Sequence, residues 1–195
     1  MKSARKGLAP GLFAITLLYF GLGFVSLYFA LLALACMAIP FLLIARYKKK
    51  VWCHHWCPRA SLTTLVGKKQ SKWKINPTMF TDGYLRKIML LYFGLNLLFI
   101  TGSTIQVALG RMYPMAYLRL FIAIPLWPLF QLFPIPGPPW LIHLTYRFYS
   151  MMLSTTLLSL VMARAWRART WCAVCPVGTL SNKLTHLQNK STEQV

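Results

Sequence analysis

The sequence predicts an all-α, polytopic membrane protein: four transmembrane helices, with a proline-rich interfacial segment between the third and the fourth. Three observations lead there. Of the 195 residues, 57% are hydrophobic and only 12% charged, about half the charged share of an ordinary soluble domain. The charge is almost all of one sign, with 22 Lys and Arg against two acids, Asp82 and Glu193. The cations gather outside apolar runs as long as the roughly 20 residues that a spanning helix needs. A nucleic-acid binder of this charge would carry it along amphipathic helices instead. A lipid bilayer is therefore expected as a partner, and nucleic acid is not.

A single membrane domain over 1–195 accounts for the chain. The run from Leu8 to Ala45 is nearly two spans, expected as helices over about 8–24 and 26–46 with Gly21-Leu22-Gly23 as the turn. Lys2, Arg5 and Lys6 precede it, but the run far exceeds the roughly 7–15 apolar residues of a signal peptide, so the segment is read as retained. The third helix, over about 88–109, holds Gly94, Asn96, Gly102 and Ser103, residue types that suit close helix packing. Seven prolines interrupt residues 110–139, and proline removes a donor and breaks helices. Here we expect an interfacial helix near Tyr113–Ile124, then a loop at the membrane surface. The fourth helix covers about 140–163 and ends at Arg164, Arg167 and Arg169.

The cations orient this layout. Nineteen of the 22 fall on one side, Arg111 and Arg119 lie on the other, and Arg147 sits within the fourth helix. By the positive-inside rule, both termini and both loops that carry cysteine pairs are cytoplasmic.

Those pairs carry the chemistry. Residues 52–58 read Trp52-Cys53-His54-His55-Trp56-Cys57-Pro58, and 171–176 read Trp171-Cys172-Ala173-Val174-Cys175-Pro176. Soft thiolates select zinc, Cu(I) and iron–sulfur clusters. Neither pair completes a four-thiolate site alone, but Cys53, Cys57, Cys172 and Cys175 together would. The proline behind each second cysteine also closes the bacterial ferredoxin run and leans the reading toward an iron–sulfur cluster. Zinc or copper, and redox thiols or a disulfide, stay open. There is no C-x-x-C-H for covalent haem. His54 and His55 are read as hydrogen-bonding neighbours of the sulfurs, and Arg59 and Arg169 as cations that offset a negative cluster.

Elsewhere, Trp52, Trp56, Trp166 and Trp171 are read as interfacial anchors, and Cys36 as a buried small hydrophobe. His143 and Arg147, four apart, form one polar stripe on the fourth helix. A quinone site, a bound anion and outward snorkelling are all compatible with it.

The two elements resemble those of the NapH- and NosR-like membrane 4Fe-4S binding proteins. Cys53 to Ser61 is similar to the first element of that family, with Arg59, Ala60 and Ser61 after the Cys-Pro. Arg169 to Leu180 is similar to the second, here in a C-x2-C-P form. The chain looks like a short form, without the ferredoxin-like repeats of larger members. The resemblance implies a 4Fe-4S cluster on the cytoplasmic face of a bacterial inner membrane, in a protein that relays electrons and turns over no substrate itself. A cytoplasmic donor such as an acidic ferredoxin or flavodoxin, and a membrane or periplasmic redox acceptor, are the partners expected. A cluster on one face does not bridge about 30 Å of hydrocarbon alone. Handling of zinc or copper as a membrane accessory or maturation protein is the alternative.

Overall fold

Helices lie where the apolar runs lie. The computed structural model describes residues 11–47, 52–67, 83–120, 124–126, 128, 131, 133, 136–166 and 168–192, with the backbone alone for His54 and 186–192. The N-terminal cations, Lys48–Lys50, the lysines between 68 and 74, and Arg167 lie outside these residues.

The chain is mostly helical. Helix α1 (Phe13–Val25) ends at Ser26, whose extended backbone (φ −153°, ψ 133°) opens a 3-10 turn (Leu27–Leu31) leading into α2 (Leu32–Tyr47). The chain therefore turns at Ser26 and not at Gly21-Leu22-Gly23, which stay helical inside α1. A π-helical turn (Trp52–Trp56) and α3 (Pro58–Gly67) follow, then α4 (Tyr84–Ala108), α5 (Pro139–Ala165), α6 (Thr170–Val174) and α7 (Pro176–Thr192).

Three helices are long and apolar enough to cross a membrane: Leu27–Tyr47, Tyr84–Ala108 and Pro139–Ala165. Helix α1, at 13 residues, is roughly 20 Å long, short of a hydrocarbon core of about 30 Å. Residues 8–10, which the expected first span includes, lie outside the described residues.

Helix α4 stops for a local reason. Gly110 takes a left-handed φ of 69°, its N–H donates to Val107 O (3.1 Å), and the Arg111 N–H donates to Gln106 O (3.0 Å). These two bonds make a Schellman cap, which satisfies carbonyls that the helix end leaves open. Of the four small or polar residues expected to pack in α4, Asn96 and Ser103 are buried. Gly94 and Gly102 face open space, so they are not close-approach sites.

The expected helix near Tyr113–Ile124 is absent. Residues 113–116 have no regular structure, and Arg119–Leu120 (β1) pairs antiparallel with Ile124–Pro125 (β2), Arg119 opposite Pro125 and Leu120 opposite Ile124. The physical reason is where the amides go. Met115 donates its N–H to His143 Nδ1 (3.0 Å), and Arg119 donates its N–H to Ser150 Oγ (3.1 Å). Donors that a helix would turn inward are spent on the side chains of α5.

The chain forms two compact units. One comprises Leu17–Leu34 and Tyr92–Leu158. Its core gathers Leu27, Ala30, Met115, Leu118, Tyr146 and Tyr149. The Tyr149 hydroxyl donates to Phe20 O (3.0 Å), and its ring lies where a Cβ on Gly23 would stand. Helix α5 buries many polar residues in this unit, His143, Thr145, Arg147, Ser150, Ser154, Thr155 and Thr156, alongside Tyr146, Phe148, Tyr149 and Met151, while Leu95, Leu98 and Leu157 are exposed. Several hydroxyls bond back to carbonyls one turn earlier, as Ser154 to Ser150 O (2.8 Å) and Thr155 to Met151 O (2.9 Å). A helix can carry such residues at low cost this way where no water reaches them. The other unit comprises Met1–Thr16, Ala35–Leu91 and Ser159–Val195, and it contains both cysteine elements.

Candidate metal centre

Each cysteine element is a short turn that runs into a helix, and in both the helix starts at the proline. Cys57-Pro58 opens α3, and Cys175-Pro176 opens α7. Proline suits the first helical position because its missing N–H has no helical partner there and its φ is already set. The Cys-Pro signature therefore does more than shape a loop: it places the second cysteine of each pair at a helix N-terminus. There the free amides and the helix dipole favour an anionic sulfur. The two helix starts match in detail. Ser61 donates its N–H to Cys57 O (3.2 Å), and Thr179 donates its N–H to Cys175 O (2.9 Å). Six residues beyond each cysteine, Thr63 and Ser181 are both almost wholly buried.

Several contacts hold the elements in this unit. A Cβ on Gly67, at the end of α3, would stand 2.5 Å from Ala168 Cα, so α3 and the segment before α6 touch at backbone distance. Arg86 donates from Nε to Ala173 O (3.3 Å). The Arg59 guanidinium lies 6.0 Å from the ring centre of Trp171. Gly178 in α7 comes within ordinary contact of Cys172 O.

None of the five cysteines is in a disulfide. Cys172 is within electrostatic reach of Cys57, Cys175 and Cys53. Burial pushes the Cys57 thiol up, against the amides of Ala60 and Arg59, which donate hydrogen bonds to it and favour the thiolate. Cys172 is also pushed up, chiefly by desolvation and then by Cys57 and Cys175, with Arg169 opposing. Any metal bound here displaces thiol protons.

Two buried polar groups in and after the second element went unread in the sequence. Trp171, expected as an interfacial anchor, is 4% exposed, and its indole N–H has no hydrogen-bond partner among the described residues. The Ser181 hydroxyl is likewise buried without one. A tryptophan directly before the first cysteine in both elements was the available signal. Cys36, expected to be buried, is exposed on α2 and lies within electrostatic reach of Cys57, Arg59 and Cys175. His55 is exposed, while Arg59 and Arg169 are half-buried.

This donor set fits an iron–sulfur cluster. It offers four unbridged thiols from two elements, second cysteines at helix N-termini, and a buried, unpartnered indole N–H on Trp171, the residue before Cys172. Among the described residues, no three of His, Cys, Asp and Glu stand close enough to hold one metal ion.

The chain matches the 4Fe-4S binding domain family over residues 29–76 and 146–192. The two matched stretches are the repeat seen in the fold: an apolar helix, a cysteine pair, and a helix opened by Cys-Pro. The match supports an iron–sulfur binding family. No curated protein and no solved structure matches the chain.

Proposed function

We propose that the chain is a membrane-bound electron-transfer protein carrying one 4Fe-4S cluster on Cys53, Cys57, Cys172 and Cys175. The observation that carries this is the doubled Cys-Pro element: it is matched twice by one 4Fe-4S binding family, both copies belong to one compact unit, and Cys172 is within electrostatic reach of the other three thiols. When bound, the cluster supplies a one-electron carrier. The chain's own residues do the rest. Cys57 and Cys175 present their sulfurs at helix starts, the Trp171 N–H is available to a sulfur, and Arg59 and Arg169 offset the cluster's negative charge.

The protein lies in a bacterial inner membrane with four spans, α1 included, and both termini in the cytoplasm. Exposed Leu17, Leu18, Leu42, Leu91, Leu98 and Val161 are apolar surface that hydrocarbon covers. The cationic cytoplasmic face suits an acidic ferredoxin or flavodoxin as donor, since complementary charge speeds encounter. A membrane or periplasmic redox protein is the acceptor, and the protein is a non-catalytic subunit of that relay. The NapH- and NosR-like group is the family this reading places it with.

Anaerobic purification followed by iron and acid-labile sulfide analysis tests the reading. Both are expected in equal amounts, near four per chain, and Cys175→Ser should abolish the full cluster. Zinc or copper without sulfide would instead establish the metal-handling alternative.

A further inference from the structure

The unit built from Leu17–Leu34 and Tyr92–Leu158 contains no Asp or Glu, yet it contains three arginines. Two of them, Arg119 and Arg147, line one small cavity together with Tyr92, Asn96, Ser150 and Ser154. Arg147 is 6% exposed, and the Nε of each arginine is buried with no hydrogen-bond partner among the described residues. Aromatic faces take part of the charge: Arg147 lies 4.8 Å from the ring centre of Phe99 and Arg119 4.9 Å from that of Tyr117. The Tyr117 hydroxyl accepts one N–H of Arg119, from Nη2, which leaves both Nε groups unpartnered, and the two cations repel each other. Buried charges in proteins are paired or they are destabilising, and nothing in this unit's own sequence can pair these.

We propose that Arg119 and Arg147 form a binding site for an oxyanion of the phosphate class, one oxygen of which enters the cavity between them. The lining chemistry selects the ligand. Arginine offers only donors, and planar guanidinium forks match phosphate oxygens. One Asn96 N–H is spent on Tyr92 O (2.8 Å), which leaves the other to donate. The cavity volume of about 20 Å³ takes one water-sized group, so it admits a single oxygen while the rest of the anion stays at its open side. A free phosphate or a phospholipid headgroup presents the same oxygen. The site is separate from the cysteine elements, which belong to the other unit.

The test uses the full chain in detergent, stripped of lipid, with thermal unfolding followed during titration. One arm adds inorganic phosphate. The other adds phosphatidylglycerol, with diacylglycerol of the same chains as the phosphate-free control. A saturable rise in Tm is expected in at least one arm, with apparent affinity weakened about tenfold or more in Arg147→Gln and in Arg119→Gln, as loss of a charge-assisted contact implies. Arg147→Lys should weaken it less. Saturation by inorganic phosphate alone assigns a free oxyanion, and saturation by phosphatidylglycerol only assigns a headgroup. No saturable rise in either arm, or an equal rise in the glutamine variants, overturns the site. Should Arg147→Gln not fold, Arg119→Gln on the hairpin carries the comparison. The phospholipid arm rests on the membrane placement proposed above, the inorganic arm does not, and iron and sulfide content reports separately on the cluster.

Discussion

Trp171 is the residue whose role differs most between a bilayer anchor and what the structure shows. Its indole is packed away from solvent with an unused N–H, one residue before Cys172. Hydrogen bonds to cluster sulfurs raise a cluster's potential. Trp171→Phe keeps most of the packing and removes the donor, so the midpoint potential should fall while iron content holds; an unchanged redox titration would assign the indole to packing alone. His143 also reads differently once placed. It is 1% exposed and so does not snorkel. Because Nδ1 accepts the Met115 amide, the ring proton sits on Nε2 and is donated to Ser103 Oγ (3.0 Å). The ring thus pins the segment before β1 and the middle of α4 to α5. His143→Leu orphans a buried amide and should lower stability by about 1–3 kcal/mol. His143→Asn, which retains an acceptor, should lose less, and denaturant titration in detergent compares the two.

The helices opened by cysteine-proline depend on close backbone contact as much as on their caps. A methyl on Gly67 would meet Ala168 backbone at 2.5 Å, and backbone cannot swing aside as a flexible side chain can. Gly67→Ala should therefore cost about 1–3 kcal/mol and reduce cluster occupancy, read as the ratio of iron and acid-labile sulfide to protein. Helix positions were readable from the sequence because apolar runs of spanning length leave few alternatives: α2, α4 and α5 lie on three of those runs. The cysteine elements were readable for the same reason that chemistry demands them, two thiols at short spacing with proline behind. The hairpin at Arg119–Pro125 was not, because what decides it is the capture of two amides by His143 and Ser150, residues far along the chain. Nor was the reach of Cys36 to Cys57 and Cys175, which exists only after packing.

At the scale of the whole molecule, many large apolar side chains among the described residues are exposed while many polar ones are buried. Helix α5 buries hydroxyls, His143 and Arg147 beside Tyr146, Phe148, Tyr149 and Met151. Reporter fusions check the topology that this distribution supports: a fusion after residue 110 should report the periplasm and one after residue 180 the cytoplasm. A periplasmic signal at 180 would remove the proposed encounter with a cytoplasmic donor.

The thiols that meet in one unit are made far apart in time. Cys57 leaves the ribosome about 115 residues before Cys172, a lag of roughly 6–23 s at about 5–20 residues per second. Throughout that interval Cys53 and Cys57 are half a ligand set on a nascent chain, open to oxidants. Oxidative stress should therefore strike this protein hardest during synthesis, and mature chains already holding their cofactor should be spared.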